Sequence, residues 1–259
     1  MISHLTELWK YRALVAALVE RHLHARYRGS MLGLIWSFLN PLCLMAVYTL
    51  VFKYYIRFTE VENYTIFLFC GLLQWLHVSS AMLEGSTSIS SGGSLITKSL
   101  FPAHLLSAVS VLTSLVHFLL SLPLLFIFMF ASGVGFHWTL LLLPLLMIVQ
   151  TVFLYGLALF LGTFNVAYRD VQHLVGNALT LLFFLCPVLY PASSVPPAFQ
   201  PFLAFNPFAV FTACYQDVLY YGTWPDVIDL VQLTAWSGIT LIIGISTYSA
   251  HREGFAEAL

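Results

Sequence analysis

The chain has 259 residues, of which 60% are hydrophobic and only 8% are charged, with a mean hydropathy of +0.89. A soluble domain carries about 25% charged residues, so this composition excludes a water-covered globule and makes lipid the natural solvent. The formal net charge of −1 argues against nucleic-acid binding, which needs a clustered basic face.

The opening MISHLTELWKYR carries Glu7 and Lys10 in its first turns, unlike a cleavable signal peptide. Over residues 4–27, Leu5, Leu8, Trp9, Ala16, Val19, Leu23 and Tyr27 recur at helical spacing, with Glu7, Lys10, Glu20, Arg21, His24 and Arg28 largely elsewhere on the wheel. That pattern predicts an amphipathic helix lying in the membrane interface. Arg21, Arg26 and Arg28 would hold its end at the headgroups, each contributing about 1 kcal/mol near an anionic leaflet. Such a helix serves either as an anchor or as a docking surface for a cytoplasmic partner.

The basic run stops at Gly29, and no charge appears again before Lys53. A spanning helix needs about 20 mostly apolar residues. Gly29–Phe52 supplies the first and Asn63–Leu83 the second, continuing past Glu84. Ser99–Tyr168 is uncharged for 70 residues, and the Ala131–His137 break divides it into a third and a fourth span. Val171–Gln216 is uncharged for 46 residues, but Pro187, Pro191, Pro196, Pro197, Pro201 and Pro207 leave only its start as a clean fifth span. Leu230–His251 makes the sixth. Orientation follows from the positive-inside rule. With both termini in the cytoplasm, Lys10, Arg12, Arg21, Arg26, Arg28, Lys98, Arg169 and Arg252 lie inside, and only Lys53 and Arg57 lie outside. Tyr54, Tyr55, Tyr64, Trp138, Tyr190, Tyr220, Tyr221 and Trp224 then form an outer aromatic belt. A complete crossing by residues 192–226 would move Arg252 outside. The stretch therefore reads as re-entrant helices that line or close a pathway, or as a folded external loop.

The fold expected is an all-α polytopic membrane protein in one domain, 1–259. It comprises a cytoplasmic interfacial helix (1–28), spans one to five (29–191), the external segment (192–226), span six (227–251) and a cytoplasmic tail (252–259).

Chemical motifs are scarce. Gly92–Ser99 approaches the phosphate-cradling G-x-x-x-x-G-K-[ST] pattern, but Thr97 stands at the second glycine and no strand precedes it. The nine histidines include no H-E-x-x-H, and the four cysteines (Cys43, Cys70, Cys186, Cys214) have no metal spacing. They read as small apolar residues, with His77 and His117 as packing residues. No catalytic residue and no metal site is expected. Glu84 is the carboxylate inside a span, costly there unless it faces an aqueous cavity or pairs with a basic residue such as Lys98. Gly29-x-x-x-Gly33 matches the close-packing motif of membrane helices.

RYRGSMLGLIWSFLNPL followed by VYTLVF resembles the opening of ABC-2 type permeases that export O-antigen, capsule or teichoic-acid polysaccharides. LITKSLFPAHLL, FNVAYRDVQHLV, PVLYPASSVP, NPF and the tail REGFAEAL resemble later landmarks of that family, in order, over essentially the whole chain. The resemblance implies a homodimer in the bacterial inner membrane, paired with two ATP-binding subunits that bind ATP and Mg, with no cofactor in this chain. It implies a lipid-linked polysaccharide as substrate. ATPase docking would fall to Arg21, Arg26, Arg28, Lys98, Phe101 and Pro102, and the external gate to Pro196, Pro197, Asn206 and Pro207. A glycan path needs aromatic faces and hydroxyls more than charges, and Tyr48, Phe52, Glu84, Phe183 and Phe184 are its candidates. The competing readings are an ABC-2 permease for a small drug or lipid, and a membrane-embedded transferase acting on lipid-linked sugars.

Overall fold

The structure is a computed structural model that describes residues 2–57, 61–93 and 102–255. Among these residues it is all-helical, with no strand. Two short helices, α1 (Ile2–Lys10) and α2 (Arg12–Tyr27), precede the spans. The first span is α3 (Trp36–Thr49), continued by a wide π-turn over Leu50–Tyr55. It is followed by α4 (Tyr64–Ser91), α5 (His104–Ala131) and α6 (Leu143–Ala167) with its 3-10 lead-in at Trp138–Leu142. Then come α7 (Val171–Leu185), α8 (Gln200–Phe205), α9 (Pro207–Gln216) and α10 (Val227–His251).

Five helical stretches are long and apolar enough to cross a membrane: Trp36–Tyr55, Tyr64–Ser91, His104–Ala131, Trp138–Ala167 and Val227–Gly254. The expected break between the third and fourth lies at Ala131–His137, where Gly133 turns the chain at φ 71°. The expected fifth span is shorter than the sequence indicates: α7 stops after 15 residues, about 22 Å of helix. The extended residue Cys186 and then Pro187 end it.

The core is built round α4. In this helix 78% of the apolar stretch is buried, against 17–39% in the other four. Lipid is as apolar as leucine, so helices in it associate by close packing and polar contacts. The packing glycines sit where backbones meet. A Cβ on Gly85 would lie 2.6 Å from the Ala158 Cβ, and one on Gly162 would lie 3.0 Å from the Gly85 carbonyl. Gly156 on α6 and Gly244 on α10 face each other in direct backbone contact. Ser237 adds a hydrogen bond from α10 to the Val149 carbonyl of α6 at 2.9 Å, and Ser88 and Ser107 join α4 to α5 at 3.0 Å. The Gly29/Gly33 pair plays no such part. Gly29 lies in the turn after α2 and Gly33 opens a 3-10 turn, both at positive φ (81° and 50°), and no atom of this chain lies within 4 Å of an added Cβ, so within the chain they serve backbone conformation.

The α9 helix is buried, with Phe211, Cys214 and Tyr215 fully enclosed. Asn206 caps it, its Oδ1 accepting from the Phe208 N–H at 3.1 Å, and Pro207 fills the first turn, where no N–H donor is needed. Thr212 donates to Gln74 Oε1 at 3.1 Å, and Gln216 donates to the Pro187 carbonyl at 2.8 Å. Tyr64, expected in the aromatic belt, is only 2% exposed and turns inward to donate to the Leu189 carbonyl at 2.8 Å. Trp138 (84% exposed) and Trp224 (64%) lie outward as expected of belt residues. Cys43 is exposed and the other three cysteines are buried, all four as free thiols.

Asp217 opens a π-turn after α9, and its carboxyl is pushed up from 3.8 to about 6, by burial first and then by Asp229 and Asp226. A raised carboxylate value favours the protonated fold. Its contribution is complete below the unfolded value near 4 and is lost as pH rises through about 6. Asp217→Asn is expected to flatten the dependence of thermal stability on pH between about 4 and 6; an unchanged slope in melting scans of the purified protein would contradict this. Two glycine replacements separate conformation from packing. Gly29→Val places a branched residue at left-handed φ and costs roughly 1–2 kcal/mol. Gly156→Val drives a Cβ into the Thr240–Leu241 backbone and costs roughly 3 kcal/mol or more. Thermal unfolding in detergent should therefore rank Gly156→Val below Gly29→Val.

Candidate functional site

The amphipathic segment turns into the first span at a sharp elbow. Tyr27 ends α2, Arg28 is extended, and Gly29 takes the left-handed turn that brings Trp36 to the head of α3. Val15, Leu18 and Val19 fasten α2 to Leu105 and Val109 of α5. The inward stripe therefore runs through Val15 and Leu18 as well as Val19, whereas Trp9 and Ala16 are exposed.

This placement carries the last residues of α2 over the interior of the bundle. Arg26 Nη1 donates to Glu84 Oε1 at 2.9 Å, and the same oxygen accepts from Ser80 at 3.0 Å. The Tyr27 and Ser37 hydroxyls lie 2.5 Å apart, and Ser37 lies 3.3 Å from His117 Nδ1. The Tyr27 ring meets His117 edge-on at 5.9 Å. Four elements (α2, α3, α4 and α5) thus converge on a cavity of about 570 Å³. One wall is Trp36, Ser37 and Asn40 of α3. A second is His77, Ser80 and Glu84 of α4, and a third is Ser114, His117 and Ser121 of α5. The lining joins hydroxyl, imidazole, amide and aromatic groups, one cation and one carboxylate to an apolar share from Pro41, Leu73, Leu76 and Leu83. The ion pair is half open to water, its side chains 45% and 35% exposed.

Further along α3, residues 37, 41, 44, 48 and 52 follow helical spacing on one face. There Tyr48 meets Phe183 at 5.5 Å, and Phe183 meets Trp75 at 5.8 Å. Beyond it Phe52 stacks on Tyr64 at 6.4 Å, Tyr64 lies 6.2 Å from Phe67, and Phe67 reaches Tyr220 at 5.6 Å. Tyr220 in turn donates to the Glu62 carbonyl. Two aromatic clusters, largely buried in the core, therefore pack along the second half of α3 and its π-turn.

Of the residues expected on the path, Tyr48 and Phe183 touch, and Phe52 belongs to the next aromatic pair. Glu84 stands in the cavity, beside the start of α3 and apart from these aromatic contacts. Phe184 is 58% exposed and contacts Phe183 edge-on at 5.3 Å. Glu84 both faces a cavity and pairs with a basic residue; the residue is Arg26, while Lys98 lies outside the described residues. Of the docking candidates, Arg21 and Arg28 are exposed, Arg26 turns to Glu84, Pro102 is half-buried, and Phe101 lies outside the described residues. At the proposed gate, Pro196 and Pro197 are exposed, whereas Asn206 and Pro207 start the buried α9.

Sequence reasoning missed Trp36, Ser37, Ser80 and Trp75, and it assigned His77 and His117 to packing. His77 does stack on Phe118 at 5.6 Å. The missed signal was polar residues at helical spacing within apolar spans: His77, Ser80, Glu84 on one helix and Ser114, His117, Ser121 on the next.

Residues 13–220 match the family described as ABC-2 type transporter. The chain is 41% identical, over the full length of both proteins, to the O-antigen export system permease protein RfbA of Myxococcus xanthus. It is 29% identical to the protein of that name from Klebsiella pneumoniae, with 95% of each chain covered. It is 22% identical to the polysialic acid transport protein KpsM of Escherichia coli, covering 92% of this chain and 93% of that one. By a family match over most of its length and a full-length relative at 41% identity, this chain belongs to the ABC-2 type transporter family.

Proposed function

We propose that this chain is the permease subunit of an ABC exporter that moves a lipid-linked polysaccharide outward across the bacterial inner membrane. The observation that carries the reading is the elbow cavity, where hydroxyls, imidazoles, an amide and the Trp36 ring stand among apolar side chains. Sugar rings carry apolar C–H faces between hydroxyl edges, and such a surface offers stacking planes and hydrogen-bond partners with little fixed charge. The export roles named for the relatives support the substrate class.

In this reading the chain acts as one transmembrane domain, 1–259, that works as a homodimer with two ATP-binding subunits holding ATP and Mg. It has six crossings, the fifth formed by α7 and the extended residues after it. Two contacts support that crossing. Asn165 joins α6 to Ser90 near the C-terminal end of α4, and its Oδ1 accepts from the Gln172 N–H; seventeen residues on, the Leu189 carbonyl takes the Tyr64 hydroxyl at the opposite end of α4. The segment 192–226 then re-enters through α8 and α9, with Pro196, Pro197, Asn206 and Pro207 at its external gate. Burial of α9 among the spans supports this, since irregular backbone at membrane depth must be enclosed by protein or line a cavity. Both termini are cytoplasmic, and the contact between Phe164 and His251 at 6.1 Å supports Arg169 and Arg252 sharing one end of the bundle. Arg21, Arg28 and Pro102, with Lys98 and Phe101, face the ATP-binding subunit.

Co-expression with its ATP-binding subunit should yield a complex that purifies together and restores surface polysaccharide to cells lacking this chain. Failure of both would overturn the proposal. Tyr48→Ala is expected to lower surface polysaccharide by about tenfold at unchanged protein level, by removing a stacking face from the path. Wild-type export by that variant would remove Tyr48 from the path.

A further inference from the structure

Arg26 is held in a way that bracing alone does not require. Its guanidinium has five N–H donors, and among the described residues a single one, on Nη1, is engaged, with Glu84 Oε1. The contact is one-point, not forked, and both side chains are half open to water. Exposed pairs of this kind hold structure weakly. Glu84 is meanwhile retained by Ser80 on its own helix at i−4, so it keeps a partner if Arg26 leaves. The arrangement is that of a cation occupied by an internal anion that can be exchanged.

The surroundings indicate the anion that would replace it. Arginine forks bind phosphate by two parallel hydrogen bonds. His117 lines the same cavity, its Nδ1 near Ser37 and its Nε2 buried without a partner among the described residues. Ser79, Ser114 and Ser121 donate to carbonyls of their own helices, which leaves their oxygens as acceptors. Trp36, 45% exposed at the head of α3, offers a flat apolar face. A volume of about 570 Å³ takes a small headgroup but not a polymer.

We propose that this cavity binds the phosphate-linked first sugar of the lipid-linked glycan, with Arg26 receiving the phosphate and Glu84 acting as the internal carboxylate that phosphate displaces. Trp36 carries the sugar face, and His117 with the serines meets its hydroxyls. The inference rests on the function proposed above and adds the part of the substrate that is recognised and the residues that recognise it.

The test uses the complex of this chain with its ATP-binding subunit in phosphatidylcholine nanodiscs. The probe is a radiolabelled farnesyl-pyrophosphoryl-N-acetylglucosamine. The wild-type complex should bind it, Arg26→Gln should bind about tenfold more weakly, and Arg26→Lys should fall between them. Glu84→Gln should bind several-fold more tightly, because the competing charge is gone. A merely structural pair predicts the opposite sign for Glu84→Gln, and weaker binding by that variant would overturn the proposal. If Arg26→Gln fails to assemble, Glu84→Gln and Arg26→Lys still decide. Competition by inorganic pyrophosphate as strong as by unlabelled probe would reduce the site to an anion site and overturn the sugar assignment. Equal competition by phosphatidylglycerol in the disc would assign it to bulk lipid headgroups and overturn it likewise. Surface polysaccharide made by wild-type cells without any probe binding would sink this inference alone. Loss of the export function itself would sink the reading beneath it.

Discussion

A leucine side chain gains little by leaving lipid for a neighbouring helix, so the stability of this bundle depends on how closely its backbones approach. That constraint explains the place of α4. Its Gly85 admits Ala158 of α6, and its Ser88 and Ser90 bond to Ser107 of α5 and Asn165 of α6. The contact of Gly156 with Gly244 joins α10 to the same layer. These contacts need small side chains and short hydroxyls, because larger groups would hold the axes apart. The long apolar residues fill the remaining space and meet the lipid.

With α4 held at the centre, its polar residues become usable. Gln74, His77, Ser80 and Glu84 would be a liability on a helix facing lipid, where an unpaired polar group costs several kcal/mol. Here each faces protein or the cavity: Gln74 accepts from Thr212 of α9, and Glu84 accepts from Arg26 of α2. The buried α9 and the elbow therefore occupy two levels of the same helix. One is attached to the segment proposed as the external gate and the other to the segment proposed to face the ATP-binding subunit. Tyr48, Phe183 and Trp75 pack beside the Gln74 level, and Phe52, Tyr64 and Phe67 pack beyond it, towards the start of α4.

The elbow gives the amphipathic helices a role beyond anchorage. Val15, Leu18 and Val19 are spent on α5 rather than on lipid, and His104, at the start of α5, lies 3.4 Å from Glu7. The α2 helix is thereby fixed to the bundle along one side, while its last two residues form part of the cavity wall. A displacement of α2 would move Arg26 and Tyr27 directly, since three residues at most separate them from the turn at Gly29.

The sequence by itself determined the solvent, the helical class, the breaks at Gly29 and Ala131–His137 and the proline-rich interruption after the fifth apolar run. Each depends on local chemistry, namely run length, charge and the conformations that glycine and proline permit. It also made Glu84 conspicuous, because a carboxylate inside a span is costly wherever it stands. The tertiary structure alone decided which cation meets it. Arg26 lies 58 positions away and reads in sequence as a headgroup contact. Only the turn at Gly29 and the packing of α2 on α5 bring it over α4. In the same way Tyr64 is indistinguishable in sequence from the belt tyrosines, and its inward rotation depends on a Leu189 carbonyl 125 positions on. Periodicity reports that a helix has a polar face; which helix that face meets is set by the approach of backbones, and no local pattern encodes that distance.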